Sequence, residues 1–126
     1  MRVTVVKGVS FDAAHFLPGY KGKCANMHGH HWVVELGVVG EVKASGMVVD
    51  FTYLKEFLKT VEDAFDHKCV NDTIETPTAE NICLWVRDKL LQWKEDGHIN
   101  FLSLYELEIA WIKIWETEDS YAEVRG

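Results

Sequence analysis

Alternating apolar positions predict two strands near the start of the chain. Valines and Phe11 stand at even spacing in residues 2–11, and residues 32–42 are rich in valine. Such β-branched and aromatic residues favour the pleated, half-buried surface of a strand. A shorter apolar run at residues 47–49 predicts a third, brief strand.

Apolar residues spaced three and four apart predict two helices in the middle of the chain. The first covers residues 52–65, where this spacing places one apolar stripe along a single side. The second follows residue 76, with Thr76 as its N-cap and Pro77 in the first helical position, and it ends at Asp96-Gly97.

A last long strand is predicted over residues 104–115, followed by a short extended tail at residues 121–124. Alternation along this strand places Glu106 and Glu108 on one face and four apolar side chains on the other. These four are Tyr105, Leu107, Ile109 and Trp111.

The order strand, strand, helix, helix, strand predicts a single α+β domain over residues 1–126. We expect an antiparallel sheet of four strands backed by two helices. Such an open sheet has two unpaired edges, which must be covered or paired with another chain. The pattern therefore predicts a homo-oligomer joined through its sheet edges.

Composition and charge narrow the class of protein. The chain has 126 residues, of which 48% are apolar and 26% charged, as in a globular domain. A net charge of -7 disfavours binding to nucleic acid through phosphate neutralisation. Residues 1–43 nevertheless hold five basic and three acidic residues, against eight and seventeen in residues 44–126. An anionic small molecule is therefore expected near the N-terminal third.

The cysteines and the apolar runs point to a reducing, aqueous compartment. Three cysteines without short paired spacing fit neither a disulfide framework nor a four-thiolate zinc site. The N-terminal apolar run breaks at Lys7, too early for a signal peptide, and no run approaches the ~18 residues of a membrane span. We expect a cytoplasmic protein without a membrane partner.

Three histidines form a candidate metal site. His28 and His30 are two apart at the entry to the second strand, so both point to one side, and His15 ends the first strand. If these strands pair, the three imidazoles leave one position of tetrahedral zinc open, as in catalytic sites. By spacing alone, two such histidines are more often surface or core residues. His31 is expected to face away from the pair, and His98 is expected in a loop.

Cys24 is a candidate base or nucleophile. It lies on a loop with Lys21 and Lys23, and these cations together with a nearby metal would favour its thiolate form. The alternative is a small buried apolar residue, which is the usual role of a free cysteine. Cys69 and Cys83 lack such surroundings and are interpreted as packing residues.

The Asp66-His67 pair and Glu116 each have a possible structural role and a possible functional role. Asp66 and His67 end the first helix, where they are either a charge pair at the helix terminus or a relay for a proton of Cys24. Glu116 ends the last long strand, as a solvated carboxylate or as the acceptor for a donor-rich heterocycle.

Six motifs follow one another along nearly the whole chain: Phe11-Asp12-Ala13-Ala14-His15, Cys24-Ala25-Asn26-Met27-His28-Gly29-His30, Val49-Asp50-Phe51, Asp66-His67 with Asn71-Asp72, Pro77-Thr78-Ala79-Glu80-Asn81 and Glu116-Thr117. In this order, they resemble the 6-pyruvoyltetrahydropterin synthase and 6-carboxytetrahydropterin synthase family. The resemblance implies the tunnelling fold, in which two helices cover one face of an antiparallel four-stranded sheet. Three sheets then close into an oligomeric barrel, and two such trimers stack as a hexamer.

The resemblance also implies roles for individual residues. His15, His28 and His30 would be the zinc ligands. Cys24 would abstract a proton, Asp66 and His67 would poise it, and Glu116 would anchor the pterin ring. Thr78 and Glu80 match positions close to the pterin, although both equally suit the start of the second helix. Lys21 and Lys23 are candidates for the substrate phosphates, or merely solvated lysines.

The implied reaction converts 7,8-dihydroneopterin triphosphate to 6-carboxy-5,6,7,8-tetrahydropterin, with release of triphosphate and acetaldehyde. Three residues separate Cys24 from His28, as in the 6-carboxytetrahydropterin synthases, whereas the pyruvoyl enzymes typically have a longer insert. Two alternatives stay open: the pyruvoyl product, formed by elimination without side-chain cleavage, and a non-catalytic module that binds zinc or a pterin.

Overall fold

One sheet and two helices make up the computed structural model, which describes residues 1–97 and 107–126. The strands are β1 (Arg2–His15), β2 (His28–Glu41), β3 (Lys68–Cys69), β4 (Glu108–Thr117) and β5 (Ser120–Arg125), and the helices are α1 (Phe51–Phe65) and α2 (Ala79–Glu95). Short 3-10 turns cover Lys23–Ala25 and Val70–Asp72. The sheet order is β3-β1-β2-β4-β5. The predicted α+β class with two helices is confirmed.

The predicted count of four antiparallel strands is wrong, because the sheet is mixed and has five. β3 has only two residues and runs parallel to β1, with Ala13 opposite Lys68 and Ala14 opposite Cys69. The chain leaving α1 is held there by a hydrogen bond from the His67 amide to the Asp12 carbonyl at 2.7 Å. The other strand pairs are antiparallel, and the extended tail at residues 121–124 is part of β5.

The brief strand predicted at residues 47–49 is not a strand. Val48 and Val49 are buried members of the core, so their apolar character reflects packing in the turn that precedes α1. Asp50 then caps α1, since its Oδ1 accepts a hydrogen bond from the Thr52 amide at 2.8 Å.

β1 and β2 are longer than predicted, and their extra residues carry the histidines. The two strands pair along 14 residues each, from Arg2 opposite Glu41 to His15 opposite His28. Both helices pack on one face of this sheet. The core between the layers includes the fully buried side chains of Phe11, Trp32, Leu36, Leu54, Phe57, Leu58, Phe65, Ile82, Leu90, Ile112 and Ile114.

A β-bulge in β4 changes which residues face the core. Gly37 pairs with Trp111 and Val38 with Ile109, which leaves Ala110 as the extra residue. Ile109 packs on the core before the bulge, and Ile112 and Ile114 do so after it, so Trp111 lies on the opposite, uncovered face. The prediction that Trp111 shares a face with Leu107 and Ile109 is therefore wrong.

Trp111 lies directly over Gly37. A Cβ atom at residue 37 would come within 2.9 Å of the Trp111 ring, so glycine permits this close approach. The predicted strand start at residues 104–106, with Tyr105, and the predicted loop position of His98 lie outside the described residues.

The second helix begins later than predicted. Its first residue is Ala79 and its N-cap is Thr78, whose hydroxyl accepts a hydrogen bond from the Asn81 amide at 3.1 Å. Thr76 is not the cap, because its carbonyl instead accepts from the Asn81 side chain at 2.8 Å. Within the described residues, neither helix combines the length and apolar character that crossing a bilayer requires.

Candidate metal centre

Three histidines converge at one end of the sheet, on the face that the helices cover. The register places His15 opposite His28, and His30 lies two residues further along β2 on the same face. The Nε2 atoms of His15 and His28 are 3.0 Å apart. The three ring centroids lie 4.6 to 5.2 Å from one another. The predicted convergence of the three imidazoles is present.

Backbone carbonyls orient two of these rings. His15 Nδ1 lies 2.8 Å from the Pro77 carbonyl, and His28 Nδ1 lies 2.7 Å from the Asn26 carbonyl. A carbonyl oxygen only accepts, so we assign the proton of each neutral ring to Nδ1, which leaves the lone pair on Nε2. Two such lone pairs at 3.0 Å from each other face the same space and can both bind one cation. The pair therefore fits a metal ion.

His30 has a buried nitrogen that points the same way. Its Nε2 has no hydrogen-bond partner within the described residues, although Glu116 Oε1 is 3.2 Å away. Burial lowers the pKa of His30, the neighbouring imidazoles of His15 and His28 lower it further, and Glu116 opposes this shift. The neutral form is the one that binds metal, and an orphaned nitrogen beside two converging imidazoles fits a divalent ion such as zinc.

Glu116 joins the cluster because of the bulge in β4. Beyond Ala110, Ile112, Ile114 and Glu116 share the face of the histidines. One potential ligand atom from each of His15, His28, His30 and Glu116 lies within 4.8 Å of the others. The sequence pattern alone would have placed Glu116 on the opposite face, since it missed the bulge.

The buried side chain of Trp32 packs against the rings of His15 and His30 on the core side. The Trp32 ring centroid lies 4.9 Å from that of His15 and 5.4 Å from that of His30, in edge-to-face contacts. Its indole nitrogen donates to the Ala13 carbonyl at 3.2 Å, which fixes the ring. The side chain of Asn71 similarly binds both main-chain groups of Phe16, the residue after His15. Sequence reasoning did not assign either supporting role.

Asp66 and His67 are held against β1 rather than against the histidine cluster. Asp66 Oδ1 accepts from the Asp12 amide at 3.0 Å, and Asp66 Oδ2 lies 2.9 Å from His67 Nδ1. The hydrogen bond from Asp12 is the main cause that lowers the pKa of Asp66, so this residue is a carboxylate at neutral pH. The His67 imidazole is 80% exposed, so its other nitrogen is free to meet a molecule from outside.

His67 borders a cleft of about 540 Å³, here called the His67 cleft. The cleft also reaches His30, Cys69 and Gly29, so it connects the Asp66–His67 pair with the end of the sheet that carries the three histidines. Cys69 therefore lines a cleft rather than packing fully in the core as predicted, and its Sγ lies 3.8 Å from Met27 Sδ. Cys83 does lie in the core, where burial raises the pKa of its thiol to about 11.

Cys24 lies in the short 3-10 turn between β1 and β2. Its carbonyl accepts from the Leu17 amide at 2.8 Å, which closes the loop, and its side chain is half-buried. Across residues 1–97 and 107–126, the Cys24 thiol makes no hydrogen bond to His67 in the same chain. Lys21 and Lys23 are exposed on this loop. His31 faces away from the histidine cluster, as predicted, and its Nδ1 lies 2.7 Å from Asp12 Oδ1.

Comparison with known proteins decides the family. A family model described as 6-pyruvoyl tetrahydropterin synthase matches residues 4–126. The chain belongs to this family. Its relatives include an Archaeoglobus fulgidus protein provisionally named a 6-carboxy-5,6,7,8-tetrahydropterin synthase, which is 42% identical over 116 residues, 92% of this chain and 90% of that protein.

Two further matches come from proteins with other names. A dihydroneopterin monophosphate aldolase of Pyrococcus furiosus is 33% identical over 117 residues, 88% of this chain and 100% of that protein. The solved structure of the Caenorhabditis elegans 6-pyruvoyl tetrahydropterin synthase matches with a TM-score of 0.81 and 28% identity, and the match covers 100% of this chain and 96% of that one.

In this member of the family, Glu116 lies between two clefts. One, here called the Trp115 cleft, has a volume of about 620 Å³ and is bordered by His30, Trp115 and Glu118. The other, here called the Glu80 cleft, has about 430 Å³ and is bordered by Glu80 and Tyr121. Glu80 therefore shares a cleft with Glu116.

Thr78 has a structural role that the sequence left open. Its hydroxyl caps α2 by accepting from the Asn81 amide. Pro77, one residue earlier, accepts the hydrogen bond of His15 through its carbonyl. The start of α2 is thus tied directly to the histidines at this end of the sheet.

Proposed function

We propose that this protein is a 6-carboxytetrahydropterin synthase that requires zinc. It would convert 7,8-dihydroneopterin triphosphate to 6-carboxy-5,6,7,8-tetrahydropterin, with release of triphosphate and acetaldehyde, in the synthesis of deazaguanine bases of tRNA. The observation that carries the proposal is the set of three imidazoles whose Nε2 atoms converge, two of them with Nδ1 held by carbonyls. The names of relatives and the spacing of Cys24 before His28 support the carboxy product.

His15, His28 and His30 would hold the metal. When bound there, a zinc ion supplies Lewis acidity that makes the side-chain hydroxyls of the substrate and the adjoining C–H groups more acidic. The buried Trp32 beneath two of these rings limits access of water from below. The substrate side chain would therefore enter from the open end of the sheet.

Cys24 would act as the base that takes a proton from the substrate side chain, and His67 would take this proton onward. Asp66 keeps the His67 ring in one orientation through the contact with Nδ1, which leaves Nε2 available. Because His67 is exposed and makes no hydrogen bond to Cys24 within the described residues of its own chain, we propose that it serves the Cys24 of a neighbouring subunit.

Glu116 would anchor the pterin ring, since one carboxylate accepts two neighbouring N–H donors. Glu80 shares a cleft with Glu116 and would contact the same ring. Thr78 would shape this cleft by holding the first turn of α2 rather than by direct contact. Lys21 and Lys23 on the Cys24 loop would receive the phosphates.

A closed ring of subunits would complete the site. Apart from residues 13 and 14, the outer edge of β1 has no partner strand within the described chain, and β5 is likewise at the sheet edge. We propose that these edges pair between copies, giving a trimeric barrel and a hexamer of two such trimers. This would also bring the His67 of one chain toward the metal centre of another.

Two related reactions are distinguished by their products. Similarity to the C. elegans protein supports the first alternative, elimination of triphosphate without cleavage of the side chain. Similarity to the P. furiosus protein supports the second alternative, carbon–carbon cleavage of a monophosphate. Zinc-loaded protein should be incubated with the triphosphate and, separately, with 7,8-dihydroneopterin monophosphate, and the products analysed by mass spectrometry.

Acetaldehyde and the 6-carboxy pterin would support the proposal. Triphosphate with a pyruvoyl pterin, or turnover of the monophosphate alone, would replace it with the corresponding alternative. Absence of turnover on both substrates would favour a non-catalytic module that binds zinc or a pterin.

A further inference from the structure

Glu116 approaches His30 in a way that a hydrogen bond does not explain. Its Oε1 is 3.2 Å from His30 Nε2, yet that nitrogen is buried and has no hydrogen-bond partner within the described residues. The nitrogen and the carboxylate oxygen are therefore close together without a hydrogen bond between them.

The spacing at this point matches a metal coordination shell. Zinc–nitrogen and zinc–oxygen bonds of about 2.0–2.2 Å in a tetrahedron place neighbouring ligand atoms about 3.3 Å apart. The two Nε2 atoms of His15 and His28 are 3.0 Å apart, and the pair formed by His30 and Glu116 is at 3.2 Å. All four ligand atoms lie within 4.8 Å of one another. The carboxylate thus lies close enough to the three imidazoles for all four side chains to reach one metal ion.

The same side chain is the proposed anchor of the pterin ring, and the two uses compete for its oxygens. A carboxylate oxygen that coordinates a metal shares its negative charge with the metal, so it is a weaker acceptor for the N–H groups of a ring, and the reverse also holds. Glu116 borders both the Trp115 cleft and the Glu80 cleft and is 30% exposed, so it has open space on two sides.

We propose that Glu116 is the fourth metal ligand in the substrate-free enzyme and leaves the metal when the pterin ring binds. The inference rests on the proposed function for the second half of this exchange. It makes ring binding and metal binding antagonistic, since each removes Glu116 from the other. By linkage, each must then weaken the other by the same factor.

The first test measures metal affinity without turnover. Competition with a chromogenic chelator should give a zinc affinity about 10-fold or more lower for Glu116→Gln than for wild type, because the amide oxygen is a poorer zinc ligand than a carboxylate. Glu118→Gln, two residues further along the chain in the same cleft, should bind zinc as wild type does. Far-UV circular dichroism checks that both variants are folded.

The visible spectrum of Co²⁺-substituted protein gives an independent readout, and it should change in Glu116→Gln but not in Glu118→Gln. Zinc affinity within twofold of wild type together with an unchanged Co²⁺ spectrum in Glu116→Gln would overturn the assignment of Glu116 as a ligand.

The second test uses unsubstituted pterin, which carries the ring donors but lacks the side-chain hydroxyls. It should lower the zinc affinity of wild type and alter the Co²⁺ spectrum, and it should do neither in Glu116→Gln. If the pterin leaves zinc affinity unchanged or raises it in wild type, the exchange is wrong. A loss of zinc affinity in Glu116→Gln, combined with no conversion of pterin substrates by wild type, would overturn the proposed reaction and leave the ligand assignment intact.

Discussion

Asp12 and Asp66 are joined through the amide of the first and the carboxylate of the second, at 3.0 Å. The next residue, His67, returns the contact by donating its own amide to the Asp12 carbonyl at 2.7 Å. This reciprocal pair holds His67 at a φ of 59°, a left-handed conformation that non-glycine residues adopt at a cost. The edge of β1 therefore sets the direction of the His67 imidazole.

The first prediction concerns the pH dependence of this pairing. The pKa of Asp66 is lowered by the Asp12 amide, so its carboxylate stabilises the fold above the unfolded-state pKa of about 3.9. This contribution is lost as the pH falls through the lowered folded-state pKa. At pH 7, the urea concentration at the unfolding midpoint should be lower for Asp66→Asn than for wild type. This difference in midpoint should disappear as the pH falls below about 4.

The measurement is urea unfolding of chelator-treated protein at one fixed protein concentration, followed by tryptophan fluorescence. Asp88→Asn, which removes an exposed carboxylate from α2, controls for the loss of one charge. A gap of constant size down to pH 2 would contradict the account given for Asp66.

The second prediction is that each chain binds about one zinc ion through His15, His28 and His30. Elemental analysis of the purified protein should find this stoichiometry, and the triple His→Ala variant should lose the metal. His31→Ala is the matched control, because His31 lies next to His30 in sequence but on the opposite face, beside Asp12. Full zinc content in the triple variant, or its loss in the control, would show that the ligand set is wrong.

The third prediction separates chemistry from metal binding. Cys24→Ala should keep zinc and the fold but lose turnover by a factor of about 100 or more, because it removes the proposed base. Cys69→Ala is the matched control, since Cys69 is also half-buried and borders the His67 cleft. Steady-state kinetics on the triphosphate provide the comparison. Turnover by Cys24→Ala at the level of the control would exclude the thiol as the base.

The fourth prediction concerns Cys83. Its pKa of about 11 leaves about 0.1% thiolate at pH 8, and its side chain is in the core. Iodoacetamide should therefore label Cys24 and Cys69 in the native protein and Cys83 only after denaturation. Peptide mass spectrometry at timed intervals gives the three rates. Labelling of Cys83 as fast as Cys24 at pH 8 would mean that α2, which carries Cys83 on its buried face, does not stay packed against the sheet in solution.

The histidine trio could be predicted because two short-range rules determine it. Alternation along a strand places His28 and His30 on one side, and pairing of neighbouring strands brings His15 to them. The position of Glu116 beside the histidines could not be predicted from alternation. One unpaired residue, Ala110, moves every later side chain of β4 to the opposite face of the sheet. No local pattern in the sequence marks that bulge.

The start of α2 and the existence of β3 likewise could not be predicted from local sequence patterns. Thr76 and Thr78 flank Pro77, and both are suitable caps by composition. Thr78 is the cap, and the Pro77 carbonyl between the two threonines contacts His15, which is far away in sequence. β3 forms because Asp12 holds the chain that leaves α1, a contact between residues 54 and 55 positions apart in sequence. Contacts of such range are set by the assembled fold and not by local propensity.

The last prediction concerns assembly and follows from the strand edges. β1 has no partner on its outer edge along residues 2–11 within the described chain, and β5 ends the sheet on the other side. Exposed strand edges of this length favour pairing with a second copy, so light scattering at micromolar concentration should report a trimer or a hexamer.

If the ring forms, the exposed His67 of one chain should meet the Cys24 loop of another. Cys24→Ala and His67→Ala chains, each inactive alone, should then regain part of the activity when they are unfolded and reassembled together. Mixing two batches of Cys24→Ala is the control and should restore none. A monomer would exclude the ring, and a mixed oligomer verified by mass spectrometry that stays inactive would place both residues of one site in the same chain.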